Sequence, residues 1–118
     1  MGLAEQTILG PVLDRDLAMM RVGDDTELLK ELADLFLEEY PRLMGELRAA
    51  LEQGDARQVE RSAHGLKGSV ANFGAKPAVD AAFQIEQLGR SGKLDPVADL
   101  LRTLDLALLT LHGELSQL

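Results

Sequence analysis

The sequence predicts an all-α fold, an antiparallel up-down four-helix bundle with a short N-terminal helix covering one end. Three observations predict it. Apolar residues recur at alternating three- and four-residue spacing along almost the whole chain, the period of a helix with one buried stripe. No stretch alternates with the period of two that a half-buried strand requires. Glycine, proline and aspartate divide the pattern into five segments, and short connections between long helices force antiparallel neighbours. At 118 residues the chain suffices for one core, so a single domain over 1–118 is expected, with the bundle at about 25–117.

The first segment covers about Asp14 to Val22 and stops at Gly23, with Asp24 and Asp25 available to cap the next. The second runs from about Thr26 to Gln53, and Leu28, Leu32, Leu35, Phe36, Leu43, Leu47 and Leu51 read as its buried face. Pro41 interrupts it; proline removes one helical hydrogen bond and crowds the preceding turn, so a kink or break is expected near Glu38–Tyr40. Gly54-Asp55 ends that helix and caps a third, with Gln58 at the capping-box position. The third segment ends at Gly74. Pro77 suits the first turn of a fourth, which buries Val79, Ala82, Phe83, Ile85 and Leu88 and stops near Ser91-Gly92. Asp95-Pro96 opens the fifth, where Val97, Leu101, Leu104, Leu108, Leu111, Leu115 and Leu118 keep the four-three spacing to the end.

Composition excludes several kinds of function. Cysteine is absent, which removes disulfides, thiolate chemistry and cysteine-based metal sites and favours a reducing compartment. A formal net charge of −8 argues against binding nucleic acid or an anionic membrane through the whole surface. With one tyrosine, three phenylalanines and no tryptophan, the core must be aliphatic and base stacking is not expected. No apolar run approaches the ~20 residues of a membrane span. The opening residues, Met1 to Gln6, lack a basic region and a hydrophobic signal core, and Gln6 stands where myristoylation expects serine or threonine. These features read as a cytoplasmic protein, and the starting methionine points to a free-standing one.

One segment departs from an ordinary bundle helix. In Ala63-His64-Gly65-Leu66-Lys67-Gly68-Ser69 the buried stripe is Val59, Ala63, Leu66, Val70 and Phe73, and His64 falls one residue off it, towards solvent. Lys67 and Gly68 follow at i+3 and i+4 on a neighbouring face. Gly65 and Gly68 each cost about 0.8–1 kcal/mol relative to alanine in a helix interior, a penalty more readily accepted where something outside must approach closely. Ala71, at i+7, is also small. Histidine in general titrates near ~6.5, so a neutral imidazole is abundant at cytoplasmic pH and can attack a phosphoryl group, giving a phosphoramidate. Lys67 and Ser69 could then supply a charge and a hydrogen bond, although serine also bonds its own helix carbonyls.

These residues, followed by Ala71-Asn72-Phe73-Gly74-Ala75, closely resemble the signature of histidine-containing phosphotransfer (HPt) domains. The resemblance extends over nearly the whole chain, through Leu35-Phe36 with Pro41, the Gly54-Asp55 turn and Glu86-Gln87-Leu88. It implies a four-helix bundle whose exposed histidine carries phosphate between aspartates of response-regulator receiver domains, supplied by a hybrid sensor histidine kinase. By that resemblance His64 is the phosphoacceptor, through Nε2, and Lys67 stabilises the phosphoryl group. Gly68 admits the receiver, and Gly65, Ser69, Ala71, Glu86 and Arg90 complete the partner-facing set. A solvated arginine is the alternative for Arg90. The chain departs from the pattern at Gly65, where serine is commoner, and at Val70, which replaces a second serine. Glu86, beside Gln87, occupies the position where some relatives place a glutamine near the histidine.

The function expected is that of a phosphorelay carrier, not an enzyme with its own ATP site. Mg²⁺ is expected only in the partner receiver, and a monomer is expected. Lys67-Gly68-Ser69 inverts the order of a nucleotide-binding phosphate loop and lies in a helix. A di-iron bundle would need paired Glu-x-x-His motifs, yet Glu60 and His64 are four apart and His112 follows Leu109. A module that docks or sequesters a receiver without turning phosphate over is the alternative; it would need neither His64 nor Lys67. A purely structural bundle, dimerising through the last helix, is disfavoured because a leucine stripe is what any bundle core requires.

Overall fold

The structure is a computed structural model that describes residues 11–118. The opening residues read above for a leader or lipid anchor lie outside that range. Five helices are described: α1 (Arg15–Arg21), α2 (Thr26–Glu52), α3 (Ala56–Ala71), α4 (Lys76–Ser91) and α5 (Val97–Leu115). None is long and apolar enough to cross a membrane.

Caps set the boundaries. The carboxylates of Asp14, Asp25 and Asp55 accept from the amides of Leu17, Leu28 and Gln58, satisfying donors that the first turns of α1, α2 and α3 leave open. The expected capping box closes on one side only, because the Gln58 side chain donates to Ser62 Oγ at 3.0 Å. Side-chain pairs fix the directions of the helices. Arg48 with Asp105 and Tyr40 with His112 run in opposite order along α2 and α5, as do Glu60 with Arg90 and His64 with Glu86 along α3 and α4. Each helix packs on the one before it, and α5 closes the ring on α2, which fits the up-down bundle.

The short α1 packs on α2, and its approach is tied to one end of the bundle. The Asp14 amide donates to the Phe73 carbonyl at 2.9 Å, and the amides of Val12 and Leu13 donate to Glu114 Oε1 at 3.1 and 2.8 Å. Gly74 makes that approach possible. It sits at φ +57°, and a Cβ there would lie 2.6 Å from Asp14 Cβ.

Three expectations are corrected. Of the kink or break expected near Glu38–Tyr40, the break does not occur, and the second helix runs unbroken through Pro41. Pro41 is exposed, so the carbonyl that loses its partner can turn to water while packing on both sides holds the helix. The buried face of α2 is Leu29, Ala33, Phe36, Met44, Leu47 and Ala50, whereas Leu28 is exposed and Leu35 is 57% exposed. Two small alanines share that face with four larger side chains. On α4, Ala78, Ala81, Ala82 and Ile85 are buried, and Phe83 is 46% exposed.

Candidate functional site

Helix α3 supplies the core and the site from opposite faces. Val59, Ala63, Leu66 and Val70 are buried, and the stripe they form turns the His64 side chain outward, where it is 68% exposed. The helix continues through Gly65 and Gly68. Both are exposed, and a Cβ added at either would meet nothing within 4 Å, so the surface around the imidazole is open.

Beneath the imidazole lies Glu86 of α4, one of two buried polar side chains in the described core and only 5% exposed. Its Oε2 is 2.9 Å from His64 Nδ1, and its Oε1 is 2.7 Å from Lys67 Nζ. Oε1 has no other partner among the described residues, so the lysine is what compensates its burial. The Lys67 ammonium also lies over the Phe83 ring, 5.2 Å from its centroid, so this exposed phenylalanine borders the site. Arg90 reaches the same place from one turn further along α4. Its Nε donates to Glu60 Oε2 at 2.9 Å, and its Nη2 is 3.6 Å from Glu86 Oε2.

Nδ1 facing a carboxylate has a chemical consequence. A neutral imidazole carries one N–H, and the carboxylate favours it on Nδ1, leaving the Nε2 lone pair free on the exposed side. Burial pushes the Glu86 carboxyl up, but the contacts and charges of Lys67 and His64 outweigh it and hold the group below the usual carboxylate range. A depressed carboxyl stabilises the fold above its unfolded value, near 4.5, and that contribution is lost as pH falls through the lowered folded value. The urea midpoint of the wild type should therefore exceed that of Glu86→Gln at about pH 6, and the gap should narrow by about pH 3. A gap independent of pH would show that the carboxylate charge contributes nothing.

The predicted residues do not all meet. His64, Lys67, Glu86 and Arg90 come together, and Gly65 and Gly68 border them. Ser69 instead lines a groove with Leu32, Phe36, Asn72 and Phe73 between α2 and α3. Ala71 is half-buried at the last turn of α3. Sequence reasoning missed Phe83, which it assigned to the core, and Gly89, one turn beyond Glu86. A Cβ on Gly89 would lie 2.7 Å from Glu60 N and 3.0 Å from Ala56 O, so this glycine sets how closely α3 and α4 approach. No signal within α4 marked that glycine, because the backbone it faces belongs to α3. Among the described residues no cluster of histidine and acidic side chains is built to hold a metal ion.

A model of the Hpt domain family matches residues 31–118. Among solved structures the chain is similar to histidine-containing phosphotransfer protein B (HptB) from Pseudomonas aeruginosa PAO1. The two share 24% sequence identity and a TM-score of 0.85, over 92% of this chain and 94% of that one, a likeness of fold. No curated protein sequence matches the chain.

Proposed function

The chain belongs to the Hpt domain family, and from that membership we propose that it relays a phosphoryl group between receiver-domain aspartates through His64. The observation that carries this reading is the 2.9 Å contact between His64 Nδ1 and the buried Glu86, beneath an imidazole otherwise open to solvent. The Nε2 lone pair attacks the phosphorus of an aspartyl phosphate. As the N–P bond forms, the P–O bond to the aspartate breaks and the aspartate leaves as a carboxylate. Nδ1 keeps its proton, so the phosphorylated ring is cationic, and Glu86 offsets that charge. The reverse step delivers the group to a second receiver. Lys67, on a flexible stem, would exchange part of its hold on Glu86 for the phosphoryl oxygens. Mg²⁺ would neutralise those oxygens from the receiver's side. No ATP chemistry is assigned to this chain; a hybrid sensor kinase supplies the phosphate, and the relay operates in the cytoplasm.

The test is transfer of radiolabelled phosphate from phosphorylated receiver domains to the wild-type protein. A label stable in base and lost in acid, as an N–P bond requires, is the expected result. Binding without label from any of several receivers would replace the carrier with a docking module. Gly68 offers a second check. Gly68→Gln should stabilise α3 by about 1 kcal/mol and weaken receiver binding on the order of tenfold, because the new side chain stands where the partner approaches. Equal affinities in a titration would refute the close approach.

A further inference from the structure

The basic residues of this acidic protein are unevenly placed. Acidic residues outnumber basic ones by 20 to 12, and α2 carries seven carboxylates against three cations. On α5 the single cation Arg102 is outnumbered by Asp99, Asp105 and Glu114, and α4 is balanced. Among the four long helices only α3 has an excess of cations, with Arg57, Arg61 and Lys67 against Glu60.

Pairing sharpens the contrast. Every arginine on α2, α4 and α5 is ion-paired: Arg42 with Glu39 and Glu46, Arg48 with Asp105, Arg90 with Glu60 and Arg102 with Asp99. Neither arginine of α3 has a carboxylate within 4.0 Å among the described residues, although both are exposed in a chain rich in acids. Positions 57, 61, 64 and 68 follow the four-three-four spacing of one helical stripe, so both guanidinium groups extend the face that carries His64 and Gly68. Arg57, Glu60, Arg61, His64, Glu86 and Arg90 line one open groove of about 370 Å³. Its two carboxylates are already engaged, Glu86 by His64 and Lys67 and Glu60 by Arg90. The charge of Arg57 and Arg61 is left uncompensated beside the imidazole.

We infer that Arg57 and Arg61 are specificity-determining residues that steer an acidic docking face of the partner onto His64. The inference rests on the reading that His64 exchanges phosphate with a receiver, and adds what selects that receiver. Exposed side chains that carry a permanent positive charge attract carboxylates through solvent before contact is made. An overall charge of −8 repels acidic proteins in general, so a locally positive face confines productive encounters to this side of the bundle. Rim charges of this kind act chiefly on association rate and its salt dependence.

The experiment measures the second-order rate of phosphoryl transfer from a receiver domain that labels the wild type. In buffer of about 20 mM ionic strength, Arg57→Gln/Arg61→Gln should slow transfer on the order of tenfold. At about 0.5 M salt the difference should shrink to within about twofold, as screening removes what the charges contribute. Arg57→Lys/Arg61→Lys should stay within about twofold of wild type throughout, and Arg102→Gln, on another helix, should change nothing. Helical content by circular dichroism confirms that each variant folds. A loss independent of salt, or no loss, overturns the inference while the carrier reading stands. A wild type unlabelled by any receiver overturns both.

Discussion

His64→Gln is expected to abolish stable phosphoryl labelling while leaving the helical content and the urea midpoint close to wild type. The two halves of that result have separate causes. Glutamine offers no nucleophilic nitrogen, because its amide lone pair is delocalised, so no N–P bond can form. The imidazole is 68% exposed and takes no part in the core stripe of α3, and exposed substitutions of this kind usually fall within about ±0.5 kcal/mol. Glu86 would keep its ion pair with Lys67, so the buried carboxylate is not orphaned. Acid-labile phosphate persisting on the variant would place the acceptor elsewhere. A collapse in urea midpoint would instead mean that the His64–Glu86 contact contributes to holding α3 against α4.

Gly89→Ala should be the most damaging of the conservative changes to the fold. The nearest atoms to a new Cβ are Glu60 N at 2.7 Å, Ala56 O at 3.0 Å and Glu60 Cα at 3.0 Å, and all belong to the backbone of α3. Backbone cannot swing aside as a flexible side chain can, so the two helices must separate. Alanine gains about 1 kcal/mol in helix propensity, but overpacking a close contact costs about 1–3 kcal/mol and the parting of α3 from α4 loosens the alanine-lined layer around it. A net loss of about 1 kcal/mol is expected from urea denaturation. Transfer should slow as well, since Glu86 lies three residues from Gly89 and would be drawn away from His64. Gly68→Ala is the control, because nothing lies within 4 Å there and alanine should raise stability. If both substitutions raise it equally, the close approach of α3 and α4 does not govern the site.

That pair of glycines shows where sequence reasoning reaches its limit. Gly68 and Gly89 both stand inside helices, and only the neighbouring backbone makes one exposed and the other indispensable. The helices themselves were legible, because aspartate caps and left-handed glycines act locally: Asp14, Asp25 and Asp55 start three of them at the expected places. The faces of α2 and α4 were less so. A pattern drawn from leucines and phenylalanines ranks residues by hydrophobic size, whereas the buried faces also take in the small Ala33, Ala50, Ala78, Ala81 and Ala82. Phe83 was therefore placed inside, and the cation that covers it comes from another helix. His64, Lys67 and Gly68 were visible because one helical turn joins them. The contact of Glu86 with both His64 and Lys67 spans two helices, and periodicity within one segment carries no information about it.

The openness around His64 bears on how long a phosphoryl group could last there. No wall of side chains would shield it from water, so its lifetime has to come from chemistry. The acids nearest the imidazole are occupied, Glu86 by Nδ1 and Lys67, and Glu60 by Arg90, so none is idle to prepare an attacking water. On the proposed reading, no general base of this chain would hasten its loss to water, and rapid discharge would wait for a partner that brings its own catalytic apparatus. A carrier of this kind would be a reservoir whose capacity is one phosphoryl group per molecule, so its abundance in the cell would set how much signal can be in transit at once.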